Sequence, residues 1–321
     1  MAAPKFKFIR FTLGDDMAME LRRGIWLDYG AIAYTKDGDD VILGMSSDIG
    51  ILNFGTIVTG EGNDRVIGIG DYAGIVNEGV ISTGLGKDTI RGIGDIYGIL
   101  NGTRATINTG IGNDTIKGTG SDAGILNLGT IKTGAGRDSI TGIGNNGIIN
   151  SGFINTNDGD DTITGIYTGQ DMAGARLFGT SFGSVATAYR GSIFNNGIIN
   201  TGNGDDTVDG ITGGFDGFGV MNLGAGNDTL RGFGTGTFNG GAGNRDKIFL
   251  GEGEYTITKE GAVTTIASNG VAMTVTGFEF ISGIGGGETS VADKFSVTPA
   301  FFWVGEDGEL TQPSFLVDSF G

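Results

Sequence analysis

Nine aspartates recur in one local setting: Asp40, Asp64, Asp88, Asp114, Asp138, Asp161, Asp206, Asp228 and Asp246. Each closes a glycine-rich turn and precedes a short β-branched run, as in TGEGNDRVIGIG (59–70), TGLGKDTIRGIG (83–94), TGIGNDTIKGTG (109–120) and TGAGRDSITGIG (133–144). The chain already carries a net charge of −17. If the turns stack, the carboxylates form a column with a pitch of about 4.8 Å. Neighbours then repel by about 1 kcal/mol in water and about 3–4 kcal/mol at an effective dielectric constant near 20. Two arrangements relieve this repulsion. Each carboxylate can accept hydrogen bonds from the N–H groups of its own turn, or a cation can sit between stacked turns. The glycines free the backbone so that carbonyl oxygens can turn inward and share that cation. Composition selects its type. With no cysteine and no histidine, the ligands are all oxygen, which favours Ca²⁺ over Mg²⁺ and Zn²⁺.

The turns need a scaffold that repeats them in register. Successive marker aspartates lie 24, 24, 26, 24, 23, 45, 22 and 18 residues apart, a period near 24 with one insertion of about 21. A fixed period of this length is the mark of a solenoid. Two residues after the aspartate stands Ile42, Val66, Ile90, Ile116, Ile140, Ile163, Val208 or Leu230. A second segment reads GILN, GIVN, GIIN, SIFN or GVMN, and a third carries Ile57, Ile81 and Ile131. Each is too short for a helix and alternates like a strand. The pattern predicts an all-β, right-handed parallel β-helix or β-roll with coils of about 24 residues, whose stacked isoleucines form an axial core. The 66 glycines follow no Gly-X-Y period, which excludes collagen. Asn53, Asn77, Asn101, Asn127, Asn150, Asn195 and Asn222 share one position of the second segment. They read as an asparagine ladder, each amide bonding its copies above and below, rather than as an exposed binding row.

In GEGNDRVI, GIGNDTIK, GNGDDTVD and GAGNDTLR the spacing G-x-G-x-D-x-U-x, with U a large aliphatic residue, resembles the haemolysin-type calcium-binding (RTX) nonapeptide. The resemblance covers about residues 35–250. It implies a parallel β-roll or β-helix, folding coupled to Ca²⁺ and export by type I secretion, and it implies no particular activity. The chain departs from that pattern in carrying one nonapeptide per coil of about 24 residues until Asp228–Asp246, rather than two per 18-residue turn. The residue before the marker also varies: Asp39, Asn63, Lys87, Asn113, Arg137, Asp160, Asp205, Asn227, Arg245. Lys87, Arg137 and Arg245 are positioned to neutralise the ladder themselves, whereas Asp160/Asp161 and Asp205/Asp206 add carboxylates. The candidate metal ligands are therefore the nine marker aspartates together with Asp160 and Asp205.

Residues 1–34 read as a cap over the first coil, hiding its open edge. Residues 251–285 alternate like antiparallel strands around EG and NG turns and resemble the segment that closes RTX arrays. The tail, 286–321, ends in FLVDSFG and resembles a type I secretion signal. An insertion at 169–190 interrupts the repeat and carries Asp171, Arg176, Phe178, Phe182, Tyr189 and Arg190. Loops of this kind often carry function, although packing against one face would also account for it. The acidic balance argues against nucleic acid, and no apolar run approaches transmembrane length. The reading that needs least beyond the repeat is a secreted calcium-binding structural protein of the cell surface or matrix, with self-association or cell-surface polysaccharide as its contacts. The alternative is a carbohydrate-active lyase or epimerase with its site near the insertion, which the absence of histidine weakens. Ice binding is a third reading: Thr89, Thr115, Ser139, Thr162, Thr207 and Thr229 align, but charged columns interrupt the array.

Overall fold

The computed structural model describes residues 5–10, 14–169 and 191–283, and beyond them 286–287, 289–290, 300–305, 307 and 309–311. Regular structure among these residues is entirely strand. A representative coil has three strands, Arg65–Gly70, Ala73–Asn77 and Val80–Leu85. Each pairs in parallel with its counterpart one coil away, in unbroken register: Val66 with Ile90, Ile75 with Ile99, Ile81 with Ile107. The parallel β-solenoid with an approximately 24-residue repeat is thus as the sequence predicts.

Alternation decides what enters the core. Within Arg65–Gly70 the side chains of Val66, Gly68 and Gly70 face inward while Arg65, Ile67 and Ile69 face outward. Three aliphatic columns, through Val66, Ile75 and Ile81, are fully buried. Glycine is required where two walls of a coil meet. A Cβ on Gly68 would collide with the carbonyl of Gly74, so the cross-section there is one backbone against another. A lone coil buries little, and stacking makes the core continuous.

The repeat continues beyond the marker aspartates at the N-terminal end, where the described residues stack on the first coil. Lys5–Arg10 and Met17–Glu20 pair in parallel with Ile25–Asp37 and Val41–Ser46, and Ile25–Asp37 pairs in turn with Ile49–Asn53 and Thr56–Glu61. Gly14-Asp15-Asp16 repeats Gly38-Asp39-Asp40 at a distance of 24 residues, a match too short to stand out beside the longer repeats. At the other end the coils contract. The coil from Asp228 to Asp246 keeps two strands, Thr229–Arg231 and Thr237–Ala242, with a single bridge at Gly234 in place of the third. Larger side chains fill the lost volume: the column of Ile199 continues as Met221 and Phe238, and Phe238 packs on Phe215 with ring centroids 5.1 Å apart.

Gly253–Glu260, Val263–Ser268 and Val271–Thr276 then form the expected antiparallel meander. Its second turn is Asn269-Gly270, both at positive φ, as a tight hairpin requires. The meander remains part of the solenoid, because Val271–Thr276 pairs in parallel with Thr237–Ala242, and Phe280–Gly283 with Lys247–Leu250. Part of the tail also joins the sheet, Ala300–Val304 pairing antiparallel with Gly253–Glu260. The insertion from 170 to 190 and the FLVDSFG terminus lie outside the described residues.

Candidate metal site: a buried aspartate column

The turn T-G-x-G-x-D joins the third strand of one coil to the first strand of the next. Both of its glycines hold positive φ, for example 119° at Gly60 and 134° at Gly62. Where the first glycine is replaced, Lys36 and Asn157 adopt φ of 82° and 71°, so the geometry survives the substitution. A Cβ on Gly86 would strike the carbonyl oxygen of Gly62, and one on Gly112 that of Gly86. The turn backbones are therefore in close contact along the stack.

This turn buries its aspartate. All nine marker aspartates are at most 1% exposed. One carboxylate oxygen of each has a defined partner, supplied by the adjacent coil rather than by the residue's own turn. The N–H of Asp40 donates to Oδ1 of Asp64 at 2.8 Å, that of Asp64 to Asp88 at 2.8 Å, and that of Asp161 to Asp206 at 2.8 Å. The chain of bonds begins at Asp16, whose N–H donates to Asp40 at 2.7 Å. It ends at Glu279, which accepts the N–H of Asp246 at 2.8 Å. Asp16 and Glu279 thus extend the column at both ends. Glu279 was hidden in the sequence because the meander sets it 33 residues from Asp246.

The other carboxylate oxygen has no such partner. In all nine aspartates Oδ2 is buried and accepts no hydrogen bond. Beside the column stands a second one, the buried threonines Thr35, Thr59, Thr83, Thr109, Thr133, Thr156 and Thr201, one in each of the first seven of the nine turns. Their hydroxyls donate along the stack, as Thr59 does to the carbonyl of Thr83 at 3.0 Å. The T of each TG repeat was the available sign of this column. Burial pushes the Asp64 and Asp114 carboxyls up to about 6 and those of Asp161, Asp206 and Asp228 up to about 7. The N–H bond each accepts offsets only part of that rise. Burial also raises Asp88, Asp138 and Asp246. An acceptor-only group left without a donor in a buried position is an energetic defect, and here it recurs in nine coils.

Asp160 and Asp205 occupy a different column. Both are exposed. Oδ1 of Asp160 accepts the N–H of Asp205 at 3.1 Å, and its Oδ2 pairs with Arg137 at 2.6 Å. That N–H bond and then the guanidinium hold the Asp160 carboxyl below its usual range. Arg137 therefore neutralises a surface acid rather than the buried ladder. Arg245 lies over the ring of Phe280, 5.5 Å from its centroid, and Lys87 is exposed.

At the next corner around the coil, Asn53, Asn77, Asn101, Asn127 and Asn150 each donate to the next asparagine of the series, ending at Asn195, over 2.7–2.9 Å. Asn222 does not belong to this ladder. GVMN falls on the third strand of its coil, where Asn222 faces outward and donates to Asn200 at 2.9 Å. The shortened coil had moved a similar tetrapeptide onto a different wall.

Fold and site together define a parallel β-solenoid with a buried acid column along one corner. No model of a known protein family matches the chain, and no curated protein is similar to it.

Proposed function

We propose that the aspartate column is a calcium-binding spine and that the protein is a secreted structural component of a cell surface or extracellular matrix. The observation that carries this reading is the row of nine buried, unpartnered Oδ2 atoms. No group of three or more acidic, histidine or cysteine side chains converges among the described residues. Each ion would therefore draw on two neighbouring aspartates of the column and fill its remaining positions with main-chain oxygens of the flanking turns, the all-oxygen environment that Ca²⁺ takes. Bound Ca²⁺ would supply the charge that the buried oxygens lack. Because the cage exists only between stacked coils, binding is coupled to folding. The RTX resemblance supports the same ion and export by type I secretion. An extended, regular solenoid with this spine suits a structural role, and no helix among the described residues is long and apolar enough to cross a membrane.

Native mass spectrometry and thermal melting of the full chain, with calcium and with excess chelator, test the proposal. Several bound ions and a melting temperature lowered sharply by chelator are expected. No bound calcium, with melting indifferent to chelator, would overturn it.

A further inference from the structure

The outer face of the first-strand sheet carries cations that make no ion pair among the described residues. Arg65, Arg91 and Lys117 lie on three consecutive coils, and the outward positions of Val41–Ser46 through Ser139–Gly144 contain no acid. Arg91 and Lys117 are direct cross-strand neighbours, so like charges stand about 4.8 Å apart on one flat wall. Isoleucines lie beside them on the same face, among them Ile69 and Ile93.

Around the corner, where the first strand hands over to the second, the same coils carry the opposite charge. Asp48, Asp71, Asp95 and Asp122 stand one per coil on two adjacent columns, tied coil to coil by main-chain bonds such as Asp95 N–H to the Asp71 carbonyl at 3.1 Å. Asp48, Asp71 and Asp95 are exposed, and none of the three makes an ion pair among the described residues. Tyr72 lies among them, its ring edge-on to that of Tyr97 at 5.7 Å.

We infer that these two surfaces recognise each other between copies of the chain. The acid corner of one solenoid docks on the cationic wall of a second, with the axes parallel. Extending the structural role proposed above, this contact names a second copy of this chain as the partner. The argument is complementarity of charge and pitch. The Asp71–Asp95 column and the Arg91–Lys117 column each present one charge per coil at the same spacing, so one register pairs Asp71 with Arg91 and Asp95 with Lys117 simultaneously, while Arg65 stands two residues along its strand, opposite Thr89. Wall-on-wall packing would instead set cations against cations. The net charge of −17 opposes association at long range, but screening beyond about 8 Å at physiological salt leaves the contact pairs dominant. The contact is heterologous, so each bound copy offers its own free wall and corner, and the association propagates laterally.

Sedimentation velocity of the calcium-loaded full chain at physiological and at high salt tests this. Species larger than a monomer at physiological salt that dissociate at high salt are expected. R91E/K117E and D71K/D95K should each weaken association at least tenfold while melting like the parent. An equimolar mixture of the two variants should restore association, because each supplies the charge the other now complements. A parent that stays monomeric at physiological salt, variants that assemble like the parent, or a mixture that stays monomeric would each overturn the inference. A monomeric chain that still melts in a calcium-dependent way would leave the calcium reading standing.

Discussion

Two corners of the coil bury polar columns, and they resolve burial in opposite ways. The asparagine corner is self-sufficient: an amide both donates and accepts, so each Asn satisfies the next at 2.7–2.9 Å. The aspartate corner is not. A carboxylate only accepts; the backbone supplies one N–H per residue, and Oδ2 is left over in nine coils. Repetition amplifies whichever property the residue has. An amide ladder gains from each added coil, whereas a carboxylate ladder accumulates charge until a proton or a cation arrives.

The largest effect that separates the corners is pH dependence without metal. Burial pushes the folded carboxyls of Asp64, Asp114, Asp161, Asp206 and Asp228 up to about 6 to 7 against an ordinary value of 3.8. The fold binds these protons more tightly than the unfolded chain does, so their stabilisation is complete below pH 4 or so and is lost as pH rises through 6 and 7. In chelator the chain should therefore melt several degrees higher near pH 5 than at pH 8. Saturating calcium should reverse the trend, since protons compete for its ligands. A flat profile in chelator would show that the column is not under electrostatic strain.

Exchanging the two chemistries is the next test. Asn101→Asp places an acceptor where Asn101 now donates to Asn127 at 2.8 Å and to the Thr130 carbonyl at 3.0 Å. A buried charge facing two acceptors should cost about 3 kcal/mol in urea unfolding, with or without calcium. The reciprocal change, Asp161→Asn, should show opposite signs in the two conditions. In chelator it removes a buried charge and supplies an amide donor, raising stability by about 1 kcal/mol. In calcium it deletes a ligand, lowering stability and the number of bound ions. The same sign in both conditions would mean that Asp161 does not hold a cation.

What the sequence made legible follows from what repeats. The coil length, the aliphatic columns and the nine aspartates recur in stretches long enough to align by eye, and all occupy equivalent positions in the structure. Asn222 was misassigned because a tetrapeptide is too short to fix a wall, and the match of GDD at 14–16 to the later turns did not stand out because it lacks most of their flanking pattern. Glu279 was out of phase behind the meander. The direction of the aspartate hydrogen bonds was not legible at all. Whether a turn caps itself or its neighbour depends on the axial offset between coils, which appears only once they are stacked.

The smallest effect concerns the acid beside the column. Asp160 and Asp161 are adjacent in sequence, yet one is exposed and paired with Arg137 while the other is buried with an unpartnered oxygen. Asp160→Asn keeps an oxygen able to accept the N–H of Asp205 and gives up only a solvent-screened contact with Arg137. Its melting temperature should stay within about 1 °C of the parent in either condition, with the bound-ion count unchanged. The charge it removes equals that removed by Asp161→Asn, so the pair separates position from charge number. If Asp160→Asn loses an ion, calcium is held at the outer lip of the turn rather than in the spine, and the buried oxygens are then left to protons.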